Sequence, residues 1–369
     1  MNSKWVIWFL ISSLWLSCGD KSMSNGPNID PDDLTHIEYN PSDFNLNIPD
    51  NFPQMDIPPD NPNTVEGVDL GRLLFYDPIL SVDSTLSCSF CHLPVGNFTD
   101  NLALSLGVSG NSTIRSSMTL LNIGFVNSGL FWDGRSDILE HQALLPVEDP
   151  VELEADWIEI EQKLRNNNTY PSLFRKAFGI ENILEIDREL ASKAIAQFER
   201  TLISSGNSKY DQVIRGDAVF TDQELQGHDI FFDIDEDINR HAECGHCHNA
   251  PLFTTNEYFN NGIQTPVGDN TFKDNGLGEI SGNLFDNGMM RTPTLRNIFH
   301  SAPYMHDGRF ETLDEVIDHY ITGGHPTDNL APVLRPLTMS DEDRAALIAF
   351  IRTLEDLDFI NNPDHQNPF

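Results

Sequence analysis

Apolar positions in this chain recur at helical rather than strand spacing. Residues 65–76 gather Leu70, Leu73, Leu74 and Phe75 on one side, which predicts an amphipathic helix. Residues 185–202 repeat the pattern with Leu190, Ala194, Phe198 and Leu202. Thr221 or Asp222 stands where a side-chain oxygen can accept from the first-turn N–H groups of a helix running into Phe232. Ser340 and Asp343 have capping-box spacing, and Ala346, Phe350 and Ile351 follow as an apolar face. No long stretch alternates as a half-buried strand would. The expectation is a mainly α fold, rich in loops because 24 glycines and 22 prolines interrupt its 369 residues. That length suggests two domains at roughly 100–200 residues each.

The N-terminus breaks this pattern. Lys4 precedes an apolar run from Trp5 to Leu16, shorter than the about 20 residues a membrane-spanning helix needs. It reads as a secretory signal. Cys18, followed by Gly19 and Asp20, resembles a lipoprotein cleavage site. Residues 1–18 therefore read as a lipoprotein-type signal peptide with Cys18 as the lipidated residue. The expected location is the periplasm or cell envelope, with the lipid anchor as the membrane attachment. Residues 19–60, rich in Pro, Asn and Asp, read as a flexible tether.

Four of the five cysteines fall in two strings, Cys88-Ser-Phe-Cys91-His92 and Cys244-Gly-His-Cys247-His248. Cys-x-x-Cys-His is the attachment pattern of haem c. Two thiols add to the porphyrin vinyl groups, and the adjacent histidine reaches the iron. Redox dithiols or zinc ligands are the alternatives, but two such strings in an exported chain favour two covalently bound haems. The formal charge of −35 repels nucleic acid and anionic lipid, and suits a basic protein partner such as a small electron-carrier cytochrome. It equally serves solubility.

The strings stand 156 residues apart, and the likeness continues beyond them. Pro94…Phe98-Thr99 is echoed by Pro251…Phe253-Thr254, Arg115…Thr119…Asn122-Ile123 by Arg291…Thr294…Asn297-Ile298, and Trp132-Asp-Gly-Arg135 by His306-Asp-Gly-Arg309. Helix-like stretches follow at Ile138–Leu145 and Leu313–Tyr320. Each half thus reads as one cytochrome-c-like haem domain, 61–205 and 206–369, packed together, with the boundary near Ser204–Ser208.

These strings, with Phe131-Trp-Asp-Gly-Arg135, Thr292-Pro-Thr-Leu-Arg-Asn297 and Ala302-Pro-Tyr-Met-His-Asp-Gly308, resemble the bacterial di-haem cytochrome c peroxidases and their MauG-like branch over about residues 61–355. The resemblance implies that peroxide reacts at the N-terminal haem, through a high-valent state, and that the C-terminal haem relays electrons. His92 and His248 are the implied proximal ligands. Gln142-Ala143…Pro146…Glu152 matches the family's distal pattern and makes Glu152 the acid–base group, with Glu148 as rival. Trp132 is the implied stepping stone between the haems. Tyr320 stands at the distal ligand position of the second haem, with His319 and His325 as rivals.

The loop from Leu93 to Glu140 contains no histidine that could block the first haem, and His141 is read as non-ligating. The family's calcium would lie on the carbonyls of Ser301 and Pro303, but Ser116 stands where the family has its asparagine ligand, a departure for which Asn122 or waters could compensate. The implied function is reduction of hydrogen peroxide with electrons from a small cytochrome or copper protein. A MauG-like oxidase acting on a protein or organic substrate, and an electron-transfer cytochrome without peroxide turnover, are the alternatives. A homodimer is compatible with either.

Overall fold

The computed structural model describes residues 30–234 and 242–369, so the signal segment and Cys18 lie outside the described residues. The described chain is mainly helical. Its helices include α1 (Val65–Tyr76), the one-turn α2 (Leu139–Gln142), α3 (Trp157–Arg165), α4 (Tyr170–Phe178), α5 (Arg188–Glu199), α6 (Lys209–Arg215), α7 (Asp222–Phe231), α8 (Leu313–Thr322) and α9 (Asp341–Arg352). The named strands are the two-residue β1 (Tyr258–Phe259) and β2 (Met290–Arg291), paired antiparallel. Thr64 caps α1, Thr221 caps α7 and Ser340 caps α9, the last two in reciprocal capping boxes with Glu224 and Asp343.

A crossing of two helices organises each half. α1 packs across α5, and α7 across α9. Each crossing closes on a glycine. A methyl group on Gly71 would lie 1.9 Å from the Ala194 carbonyl oxygen, and one on Gly227 would lie 1.9 Å from that of Ala346. These glycines stand 156 residues apart, as the cysteine strings do. Phe75, Phe98 and Phe198 fill the space beside the first crossing, Phe231, Phe253 and Phe350 beside the second, all fully buried. The Phe75–Phe198 and Phe231–Phe350 ring centroids are 5.2 and 5.1 Å apart. Burial of each such ring contributes about 1.5–3 kcal/mol.

Three expectations change. The single helix expected over Ile138–Leu145 is two helical turns, Leu139–Gln142 and Leu145–Glu148. Pro146 has no N–H to continue the ladder, so it starts a new turn instead. The stretch 30–60 is no free tether. Leu34 enters the core of the first half, Phe52 and Met55 pack with Phe125, Ile203 and Leu252, and the backbone N–H groups of Leu34 and Phe44 donate to Glu181 and Asn63 at 2.9 and 3.0 Å. Its few apolar residues act singly, between prolines, so no periodicity announces them.

The third change concerns the end of the chain, which does not belong wholly to the second half. Phe359 and Ile360 lie in the first core. Arg72 donates to the carbonyls of Pro363 and Gln366, and the Tyr76 hydroxyl donates to that of His365 at 2.5 Å. The link between the halves is itself held by this tail, since Asp356 accepts from both hydroxyls of Ser204 and Ser205 at 2.6 Å.

Candidate functional site

Each cysteine string forms one helical turn, Cys88–Cys91 and Cys244–Cys247, on the wall of a cavity. The first cavity is lined by Cys88, Cys91, His92 and Phe75, with Gln142, Pro146 and Glu152 also on its wall. The second is larger and mostly apolar. Cys244, Cys247 and His248 line it, with Val316, Tyr320 and Ile351 also on the wall.

His92 Nδ1 lies 2.9 Å from the Phe98 carbonyl oxygen, and His248 Nδ1 lies 3.2 and 3.1 Å from those of Phe253 and Pro293. A carbonyl accepts, so Nδ1 carries the proton and Nε2 is left as the basic nitrogen. Phe98 and Phe253 both hold positive φ, 60° and 55°, which turns their carbonyls toward the imidazoles. Burial holds both imidazoles below their ordinary range, His248 at about 4, and so keeps them in the neutral, metal-binding form. Two thiols, an oriented neutral imidazole and an apolar wall in each cavity fit a covalently attached haem.

The two walls otherwise differ. Glu152 and Gln142 converge on the first cavity, whereas Glu148 is exposed. Burial, with Asp149 adding to it, pushes the Glu152 carboxyl up to about 7, against the pull of Arg135. His141 is exposed, with Nδ1 3.0 Å from the Ser136 hydroxyl, and does not line the cavity. Among the described lining residues of this cavity, His92 is the one imidazole, and none is Met, Tyr or Lys. Met118, the methionine of the preceding loop, lines the second cavity instead.

Tyr320 lies on the wall of the second cavity, where its hydroxyl accepts from Asn261 Nδ2 at 3.3 Å. Its rivals are engaged elsewhere: His319 Nε2 is 2.9 Å from the Asn261 carbonyl, and His325 Nε2 is 3.3 Å from the Thr265 hydroxyl. Burial pushes the Tyr320 phenol up to about 12. Ligation as phenolate therefore requires a compensating metal charge.

Trp132 reaches from the first half into the wall of the second cavity. Its Nε1 donates to the Ser116 carbonyl at 2.9 Å, and its ring meets that of His306, its own counterpart in the repeat, at 6.4 Å and 71°. Arg115 braces this junction. It donates to both oxygens of Asp274 at 2.7 Å and to Asp133 at 2.5 Å. Ser301 and Pro303 line the same cavity, but the Ser116 hydroxyl donates to the Met305 carbonyl at 2.9 Å and does not replace an amide ligand. Asn97 lies beside Ser301, with Nδ2 3.3 Å from its hydroxyl, and Asn97 Oδ1 is buried without a partner.

The arrangement has close relatives. The profile of the di-haem cytochrome c peroxidase family matches residues 65–219. A cytochrome-c peroxidase, IdrP1, from Pseudomonas sp. (strain SCT) is 33% identical over 331 residues, covering 82% of this chain and 84% of the relative. The methylamine utilization protein MauG of Methylorubrum extorquens is 33% identical, covering 81% of this chain and 80% of its own. The chain belongs to the bacterial di-haem cytochrome c peroxidase family, in its MauG-like branch. The crystal structure of a MauG-like protein associated with microbial copper homeostasis superposes with a TM-score of 0.81 at 33% identity, covering 88% of this chain and 99% of that one. Membership makes the chain an oxidoreductase of a peroxide-using family, with a mainly helical two-part fold.

One wall residue escapes both periodicity and resemblance. Glu199 ends α5 and lines the first cavity one helical turn after Ile195. The available signal was the helical spacing of Ile195 and Glu199, matched by Leu347 and Ile351 in the second half.

Proposed function

We propose that the chain is a di-haem c-type peroxidase that reduces hydrogen peroxide to water with electrons from a small cytochrome or copper protein. Peroxide would react at the N-terminal cavity, and the C-terminal cavity would relay electrons. The carrying observation is the contrast between the walls: Glu152 and Gln142 face the first cavity, while Tyr320 occupies the second at the helix position where the first has Pro146. Cys88, Cys91 and His92 would hold one haem, and Cys244, Cys247, His248 and Tyr320 the other. The chemistry supplied by the pair when bound is reductive cleavage of the peroxide bond at iron.

The residues of the chain do the rest. Glu152, as carboxylate, takes a proton from the inner peroxide oxygen and returns it to the outer one. Such general acid–base help is worth about 10²–10⁴ in rate. Gln142 orients the peroxide from the same wall. Pro146, on the same wall, would offer no ligand atom to a haem held there. Trp132, held by Ser116, supplies a polarisable ring at the junction of the halves. With the Ser116 hydroxyl donated to Met305, Asn97 would join the carbonyls of Ser301 and Pro303 around a calcium ion, and no step depends on that ion. An extracytoplasmic location suits the family and the covalent haem strings. Lipidation of Cys18 is a proposal from the sequence.

Tyr320 favours a second reading, a MauG-like oxidase that turns peroxide on another protein or an organic molecule. A hard phenolate oxygen favours ferric iron over ferrous. Adding stoichiometric peroxide to the diferric protein and then reduced cytochrome separates the readings. Rapid cytochrome oxidation is the expected result for the peroxidase. A long-lived spectral change with little cytochrome oxidation identifies the oxidase, and no response identifies an electron-transfer protein. A purely low-spin spectrum at both haems of the oxidised protein overturns the open first site. Unchanged spectra in Tyr320→Met remove Tyr320 as a ligand.

A further inference from the structure

The wall of the N-terminal cavity holds a second carboxyl group that the peroxide chemistry above does not use. Glu199 is 4% exposed, and its Oε2 is buried without a hydrogen-bond partner. The adjacent cation, Arg200, turns instead to Glu140 in a close ion pair, and Asn61 Nδ2 donates to the same Glu140 oxygen at 2.6 Å. Arg200 and Glu140 are the charged groups on the outer side of Glu199. Across the cavity stand Cys88, Cys91, His92 and Glu152, while α1 contributes the apolar Phe75. The C-terminal end of α5 also disfavours a negative charge there.

The second half shows that the fold does not need a carboxyl at this place. Ile351 lines the C-terminal cavity one turn after Leu347, as Glu199 follows Ile195, and each stands directly after the phenylalanine of its helix crossing. An isoleucine satisfies the packing. A buried carboxylate with an oxygen left unpartnered is destabilised unless it takes up a proton. Burial accordingly pushes Glu199 up to about 8, close enough to neutrality for the proton to come and go.

We propose that Glu199 is a proton-storing group coupled to the electron count of the N-terminal haem. A proton binds its carboxylate when that haem gains an electron and leaves when the electron leaves. The balance is one electron from an external reductant and one proton from solvent. Fe(III) becomes Fe(II), one carboxyl O–H bond forms, and no other bond changes. The cause is electrostatic. Ferric iron in a porphyrin dianion carries one net positive charge that stabilises a nearby carboxylate, and ferrous iron in the same ring carries none. In a poorly solvated wall this difference is felt strongly. Peroxide reduction consumes two electrons and two protons, and such a group delivers one of those protons from inside the cavity. The inference rests on the N-terminal haem of the proposed function, not on peroxide turnover.

The test is a redox titration of the holoprotein at stepped pH, with each haem followed by its paramagnetic resonance signal. The N-terminal potential is expected to fall with rising pH by up to about 59 mV per unit, the one-electron equivalent of a tenfold change. The C-terminal haem, walled by Ile351, is expected to stay nearly flat. Glu199→Gln flattens the N-terminal slope, whereas Glu152→Gln leaves it in place. Glu199→Ile copies the residue at the matching place of the second half and repeats the measurement with an apolar side chain. An infrared difference spectrum should show a protonated carboxyl C=O band on reduction that is lost in both Glu199 variants. A pH-independent N-terminal potential in the wild type overturns the proposal, as does a slope that survives both Glu199 substitutions or disappears with Glu152→Gln. A haem count of one, with the N-terminal cysteines unmodified, overturns the underlying reading instead.

Discussion

The two halves of the molecule agree wherever the backbone must be shaped and differ where a cavity wall meets a ligand. Gly71 and Gly227, Phe75 and Phe231, Phe98 and Phe253, and Phe198 and Phe350 occupy matching places around matching crossings. Three wall positions have diverged. Gln142 corresponds to Val316, Pro146 to Tyr320, and Glu199 to Ile351. At these three places the first wall carries an amide, a carboxyl and no added ligand atom, and the second carries two aliphatic side chains and one phenol. A pair of crossed helices fixes the approach of the string to the cavity, and that requirement is the same in both halves. The chemistry is then set by side chains that the crossing does not constrain.

The sharpest way to break this contrast is at Glu152. Glu152→Gln should lower kcat/KM for peroxide by about 10²–10⁴-fold, while Val316→Gln, which copies the polar residue onto the other wall, should leave it unchanged. Steady-state peroxide kinetics decide this, and equal effects of the two substitutions would refute the assignment of roles. Next in size is the shared scaffold. Gly71→Ala and Gly227→Ala each force a methyl group against a backbone oxygen, and each should cost about 1–3 kcal/mol of stability by denaturant unfolding. A neutral result at either glycine shows that its crossing is looser than its counterpart.

The pH profile sharpens the same division. Burial raises the Glu152 carboxyl to about 7, so the carboxylate proposed as base is depleted below that pH. Activity should therefore rise about tenfold per unit as pH approaches 7 from below and level off above it. A profile of the same shape in Glu152→Gln would assign the limb to another group. The smallest effect concerns the tail. Tyr76 corresponds to Phe232, and its hydroxyl donates to the His365 carbonyl. Tyr76→Phe, which makes the first half like the second, should cost about 0.5–1.5 kcal/mol of stability. No measurable loss would show the tail to be held by Phe359, Ile360 and Arg72 alone.

Much of this was legible in the residues. The two cysteine strings stand on matching cavity walls, helix α1 spans the expected residues, and the caps of α7 and α9 are where their side chains said. The repeat was visible because matching scaffold positions keep matching residue types. The packing of residues 30–60 and of the tail was not legible. Leu34, Phe52, Met55, Phe359 and Ile360 are isolated apolar residues whose partners lie far along the chain, and no local period marks a long-range contact. Glu199 was hidden for another reason. Among 57 acidic residues, one more on a helix reads as a solvated face, and its burial depends on where α5 meets the first cavity.

The last residues of the chain complete a core that some of its earlier ones begin. Phe98 packs against Phe359 and His365, with ring centroids 5.8 and 6.2 Å apart. As the polypeptide emerges N-terminus first, Cys88 and Cys91 are therefore made long before the segment that closes their half. In the folded chain burial pushes both thiols up, Cys91 to about 12. The first half is therefore complete only once the C-terminus has arrived, although its cysteine string is among the early residues of the chain.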